Sequence, residues 1–225
     1  MATPVRLPDG WALIFDLDGV IVDSNPLHTE AWRAYLENLG IACDDIDRRM
    51  HGRRNDEIVA DFIGTGLTPE QVFTHGAAKE QMYREMMQSE LEQRLVPGIR
   101  DFLAWTDGIP TAVASNAEPA NVDFVLDGAA LRPCFRVIVD GHQVARPKPY
   151  PDIYIRAAEL LGVQAAKCVV FEDSATGVEA ALAAGARVVG VRTVPAADLS
   201  GVDLIVGDFR DHGLKDWLRS VEPKI

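Results

Sequence analysis

Cysteine is scarce in this 225-residue chain, and Cys43, Cys134 and Cys168 are scattered with no Cys-x-x-Cys spacing. An odd, dispersed set excludes a disulfide framework and a zinc ribbon, and reads as reduced packing residues of a cytoplasmic protein. No uninterrupted apolar stretch approaches the roughly 20 residues that a membrane span needs. The first ten residues, Met1 to Gly10, lack the apolar core of a secretory signal. Positive charge is also short: 22 Lys and Arg stand against 34 Asp and Glu, a net charge of −12 with no basic run. That field repels a nucleic-acid backbone and an anionic membrane, so neither is expected as a partner. A phosphorylated metabolite is repelled too, and an acidic protein that binds one needs a local cation and local donors.

What is present is an ordinary globular composition, 48% apolar and 25% charged. A chain of this length buries roughly 70% of the surface that its unfolded form exposes. Short runs rich in Val and Ile span Trp11–Phe15, Thr111–Ala114, Arg136–Val139, Cys168–Phe171, Arg187–Val191 and Asp203–Val206. Runs this apolar, separated by helical stretches, predict strands buried on both faces of a parallel sheet. The expected class is α/β, doubly wound and Rossmann-like. Residues 26 to about 92 break the rhythm. Asn25-Pro26 starts a helix that Gly40 stops, a second covers Asn55–Ile63, and Thr68-Pro69-Glu70-Gln71 caps a long helix reaching about Gln93. Val96-Pro97-Gly98 then restores the α/β pattern. The expected organisation is a core of residues 1–24 and 95–225 with an all-helical insert over 25–94.

Chemistry gathers at the strand ends. The first strand runs into Asp16-Leu17-Asp18-Gly19, and residues i and i+2 of an extended chain leave it on one side. Two carboxylates at ~4 Å repel by ~4 kcal/mol at an effective dielectric of about 20, a cost that a cation or shared proton offsets. The second strand delivers Ser115-Asn116 ahead of a helix opening at Glu118-Pro119, where a hydroxyl and free N–H groups suit a phosphate or a plain helix cap. In Arg146-Pro147-Lys148-Pro149-Tyr150-Pro151 the flanking prolines hold Lys148 on a stiff, extended segment. Val169-Val170-Phe171 delivers Glu172-Asp173. Mg²⁺ takes oxygen ligands and keeps several waters, so Asp16 and Asp173 with one main-chain carbonyl and water suffice. Each acid alone reads as a solvated turn, but four polar clusters each ending a strand fit the crevice at the carboxyl edge of an open α/β sheet.

Their order and content resemble the haloacid dehalogenase superfamily over essentially the whole chain. Asp16-Leu17-Asp18-Gly19-Val20-Ile21-Val22-Asp23 fits its first motif, Ser115 its second and Lys148 its third; Glu172-Asp173 with Ser174 to Ala181 fits its fourth. The helical insert is similar to the family's small cap domain, and the cap and Pro-Lys-Pro segment look most like β-phosphoglucomutase and related sugar-phosphate phosphatases. The resemblance implies that Asp16 is the nucleophile and Asp18 the general acid and base, with Mg²⁺ held by Asp16, the Asp18 carbonyl, Asp173 and Glu172. Ser115 and Lys148 would bind the transferring phosphoryl group, with Asn116 and the Gly19 backbone as lesser contacts. An acid at position 18 argues for phosphate esters, because the superfamily's dehalogenases and phosphonatases lack one.

In the insert, His28 and Lys79 fall where the mutase has residues near its substrate. In Gly52-Arg53-Arg54-Asn55-Asp56-Glu57, Asn55 stands where the mutase carries a phosphate-gripping arginine; Arg53 and Arg54 are the candidate substitutes. Trp32, Tyr83 and Met86 read as helix core. The expected protein is a monomeric, cytoplasmic, Mg²⁺-dependent phosphatase of a small phosphorylated metabolite. The alternatives are a β-phosphoglucomutase and a non-enzymatic phosphometabolite-binding protein.

Overall fold

The structure is a computed structural model in which residues 7–8, 10–44, 46, 49 and 53–222 are described. The chain divides into two compact units, one of Met1–Asp23 with Arg94–Ile225 and one of Ser24–Gln93.

The larger unit holds six strands: β1 (Ala12–Phe15), β2 (Thr111–Ala114), β3 (Val137–Val139), β4 (Cys168–Glu172), β5 (Arg187–Val191) and β6 (Leu204–Val206). They form one sheet in the order β3-β2-β1-β4-β5-β6, and every neighbouring pair is parallel. Strand order reverses between β1 and β4, the topological switch point of a doubly wound sheet. The apolar runs foresaw all six strands; the ends differ by a residue at β1, β3, β4 and β6.

Side-chain alternation explains why both faces are covered. Ala12, Ile14, Ala112, Ala114, Cys168, Val170 and Val188 pack with residues of α6 (Asp152–Leu161) and α7 (Ala175–Ala183). The odd-numbered positions face the other way into an aromatic cluster. There Phe15 stacks on Phe171 at 4.6 Å, and Phe102 of α4 (Ile99–Trp105) lies edge-on to Phe171 at 5.5 Å and 4.9 Å from Phe209. Such aromatic pairs add about 0.5–1.5 kcal/mol each beyond burial. The remaining core helices are α5 (Pro119–Gly128) and α8 (His212–Arg219).

The smaller unit contains α1 (Asn25–Asn38), α2 (Asn55–Phe62) and α3 (Pro69–Met87), and no strand is present among its described residues. Trp32, Leu36, Ile46, Ile58 and Val59 form its apolar centre. Thr68 and Gln71 make the reciprocal cap foreseen for α3, with Thr68 Oγ1 accepting from Gln71 N and Gln71 Oε1 from Thr68 N. The helix stops at Met87, well before Gln93. Beyond it the chain tightens into turns in which Glu90 N–H donates to Met87 and Gln93 N–H to Glu90. These turns bury Leu91. Back in the core unit, the Arg94 carbonyl accepts from Asp23 N–H and Leu95 bridges Val22.

Candidate active site

Parallel pairing sets the site before any side chain is considered. Phe15 is in register with Phe171 and with Val113, so the residues after β1, β4 and β2 emerge side by side at the carboxyl edge. Asp16 N–H continues the ladder by donating to the Phe171 carbonyl at 3.0 Å, and Ser115 N–H donates to Val139. Asp16 and Glu172 extend the even-numbered rows and therefore point to the α6–α7 face.

Lys148 joins them there. Its Nζ donates to Asp16 Oδ1 at 2.9 Å and to Glu172 Oε1 at 2.7 Å, with all three residues buried. The lysine backbone is fixed separately, its N–H donating to Asn116 Oδ1 at 3.2 Å. Tyr154, on the buried face of α6, donates its hydroxyl to Glu172 Oε1 at 2.6 Å and lays its ring 4.9 Å from Lys148 Nζ. The other Glu172 oxygen accepts from Asp173 N, Ser174 N and Ser174 Oγ. Ser174 also caps α7, accepting from Gly177 N at 3.1 Å, so the carboxylate sits at a helix N-terminus that favours negative charge.

The electrostatics follow from this crowding. Burial pushes the Asp16 carboxyl up to about 7, with Lys148 pulling it down and Glu172 and Asp18 adding to the rise. Burial likewise opposes ionisation of Glu172, but Lys148, Tyr154 and the Ser174 N–H hold it below the ordinary range. Burial alone would push Lys148 down, yet Asp16 and Glu172 together keep its ammonium above the ordinary lysine value. Perturbed carboxyls cluster at functional sites, which makes Asp16 a candidate for one.

Asp16, Glu172 and Asp173 each offer an oxygen within 4.8 Å of the others. Three buried carboxylates against one lysine leave local negative charge, and their all-oxygen donor set suits a hard divalent cation such as Mg²⁺. The residues fit that ion. Glu172 already accepts five hydrogen bonds.

Asp18 is partly buried, two residues from Asp16, in a loop bridged to Val22. Both backbone groups of Gly19 are engaged, the N–H with Val22 at 2.7 Å and the carbonyl with Thr193 Oγ1 at 2.8 Å, which leaves no Gly19 N–H for a phosphate. Ser115 Oγ accepts from Ala117 N at 3.1 Å and retains its own proton to donate. In the helical unit, His28 Nδ1 meets Lys79 Nζ at 2.9 Å, Lys79 pairs with Glu80 at 2.7 Å, and Asn55 Nδ2 donates to Glu80 at 2.7 Å. Arg53 is tied to Asp61 at 2.9 Å and Arg54 to Asp56 at 3.2 Å; Gly52 lies outside the described residues. Sequence reasoning missed Tyr154 and Glu80. Tyr154 follows Lys148 by six residues, and only the turn into α6 brings it back to the lysine.

Buried acids and a lysine gathered at the switch point of a parallel sheet are the arrangement of an α/β enzyme site. The haloacid dehalogenase-like hydrolase family model matches residues 12–185. β-Phosphoglucomutase of Bacillus subtilis is 34% identical over 213 residues, covering 91% of this chain and 92% of that one. Fructose-1-phosphate phosphatase YqaB of Escherichia coli is 34% identical over 183 residues, covering 80% and 95%. Among solved structures, CbbY from Rhodobacter sphaeroides in complex with phosphate superposes with a TM-score of 0.75 at 28% identity, covering 90% of this chain and 96% of that one. The chain belongs to the haloacid dehalogenase-like hydrolase family and is a phosphatase or phosphomutase. Enzymes of this family generally use Mg²⁺, and the buried acid cluster is one that could hold it. No helix among the described residues is long and apolar enough to cross a membrane.

Proposed function

We propose that this protein is a Mg²⁺-dependent phosphatase of a small phosphate monoester, a sugar phosphate or similar metabolite, working through a phosphorylated Asp16. The observation that carries the reading is the buried Asp16–Lys148–Glu172 contact at 2.9 and 2.7 Å, with a second acid two residues from the first. The Asp16 carboxylate attacks phosphorus as the ester P–O bond breaks, and Asp18 gives its proton to the departing alkoxide. Water then attacks the aspartyl-phosphate, Asp18 takes the water's proton, and the P–O bond to Asp16 breaks to free phosphate. Lys148, held cationic by its two carboxylates, and the Ser115 hydroxyl neutralise the phosphoryl oxygens. Asp16, Asp173 and the Asp18 carbonyl would hold the ion, with Glu172 behind them. When bound, a divalent cation supplies charge that keeps Asp16 ionised and offsets the oxygens of the transferring group.

The reaction is assigned to the core unit and substrate choice to the helical unit. Hydrolysis is preferred to mutase chemistry in this reading because Asn55 stands where the mutase carries a phosphate-gripping arginine, and its amide donates to Glu80 at 2.7 Å. The test is phosphate release from a panel of phosphate esters with Mg²⁺, alongside β-glucose 1-phosphate with a sugar bisphosphate primer. Free phosphate from at least one monoester, lost in Asp16→Asn, is expected. Glucose 6-phosphate forming without stoichiometric free phosphate would sink the hydrolytic reading, and turnover near wild type in Asp16→Asn would sink the nucleophile.

A further inference from the structure

Glu172 has no exposed surface, and its carboxylate lies in a space that two other residues shape. A β-carbon built on Gly177 would stand 1.7 Å from Oε1, 1.9 Å from Cδ and 2.2 Å from Oε2 of Glu172. No side chain fits there, so α7 approaches the carboxylate this closely only because position 177 is glycine. Tyr154, fully buried on α6, meets the same carboxylate with its hydroxyl at 2.6 Å from Oε1.

We propose that Gly177 and Tyr154 are positioning residues for phosphoryl transfer, fixing Glu172 so that it holds Lys148 against Asp16. The inference rests on the role given to Lys148 above. An ammonium group has three donors in tetrahedral array. Two are directed by Asp16 and Glu172, so the direction of the third is set, and with it the direction available to a phosphoryl oxygen. Loosening Glu172 frees the flexible lysine stem to re-aim its charge. In Tyr154→Phe, Oε1 keeps Lys148 as its only side-chain donor and draws the ammonium from Asp16. In Gly177→Ala the carboxylate is displaced outright. A merely space-filling role predicts otherwise: alanine is the better helix former, so an alanine that fitted would leave Lys148 alone and strengthen α7.

The test compares both variants with the unaltered protein, using p-nitrophenyl phosphate and Mg²⁺ for rates, thermal unfolding for stability and a crystal structure of Gly177→Ala. Tyr154→Phe is expected to lower kcat by about tenfold with KM within about twofold, the pattern of an interaction lost in the transition state. Gly177→Ala is expected to lower kcat by at least about a hundredfold without a rise in Tm, with Lys148 Nζ out of hydrogen-bond reach of Glu172 in the crystal. A Tyr154→Phe kcat within twofold of wild type overturns the proposal, as does a Gly177→Ala structure with the Lys148–Glu172 contact intact. Should Gly177→Ala fail to fold, Tyr154→Phe decides. Should the unaltered protein turn over no phosphate ester, the reaction itself falls, and the crystal structure still judges the Glu172 contact.

Discussion

Replacing Glu80 by glutamine should loosen the helical unit by about 3 kcal/mol at neutral pH. Glu80 is 4% exposed on α3, with Lys79 at 2.7 Å, Asn55 at 2.7 Å and His28 at 3.7 Å. Burial opposes its ionisation, but Lys79 and then His28 outweigh that cost and hold the carboxyl at about 2 against an ordinary 4.5. At about 1.36 kcal/mol per pH unit, that depression corresponds to about 3 kcal/mol of stability. The folded value lies below the unfolded one, so the contribution is complete above pH 4.5 and disappears as pH falls through about 2. Hydrogen exchange of the α3 amides measures it: Glu80→Gln should raise their opening equilibrium by roughly a hundredfold or more at pH 7. The gap between the two proteins should narrow to about half near pH 3, because a protonated glutamate and a glutamine are alike in shape and charge. Exposed Glu85→Gln is the control and should shift stability by no more than about 0.5 kcal/mol. A Glu80→Gln loss under about 1 kcal/mol at pH 7, or a gap that widens on acidification, would refute the reasoning.

Asp18→Asn should slow hydrolysis of an alkyl phosphate by about 10²–10⁴, and that of p-nitrophenyl phosphate far less, because a nitrophenolate leaves without a proton; equal losses on both would remove Asp18 as the acid. Chelation of divalent cations should abolish phosphate release and added Mg²⁺ should restore it; unchanged release after chelation would disprove metal dependence. Gly98→Ala should lower Tm by several degrees. Gly98 has φ of 83°, and a β-carbon there would lie 2.7 Å from Arg210 Cγ and 3.0 Å from the Arg210 and Phe209 backbones. The left-handed conformation alone costs about 1–2 kcal/mol, so an unchanged Tm would contradict the geometry.

Short-range pattern determined most of the architecture. Runs such as Val169-Val170-Phe171 are short, apolar at every position and rich in β-branched residues, which favours a strand covered on both faces and so a parallel sheet. Pro26, the Thr68–Gln71 cap and Gly98 marked element boundaries because their backbone preferences act over one to four residues. The candidate acids at 16, 18 and 173, with Ser115 and Lys148, could be picked out in sequence because each lies near a strand end or between prolines. The end of α3 at Met87 was not legible, since helix-forming residues run on to Gln93 and the stop comes from turns that bury Leu91.

Tertiary structure alone decided which acids and cations are matched to which. Lys79 and Arg53 look like available charges in sequence, yet His28 of another helix meets Lys79 beside Glu80, and Asp61 takes both Arg49 and Arg53. Glu172 reads in sequence as one more ligand beside Asp173. Packing makes it a buried anchor for Lys148, in contact with Tyr154 from eighteen residues away and fitted against a helix with no side chain at 177. The chemistry proposed for Asp16 therefore rests on residue type and strand end. The aim proposed for it rests on contacts between elements that no local pattern encodes.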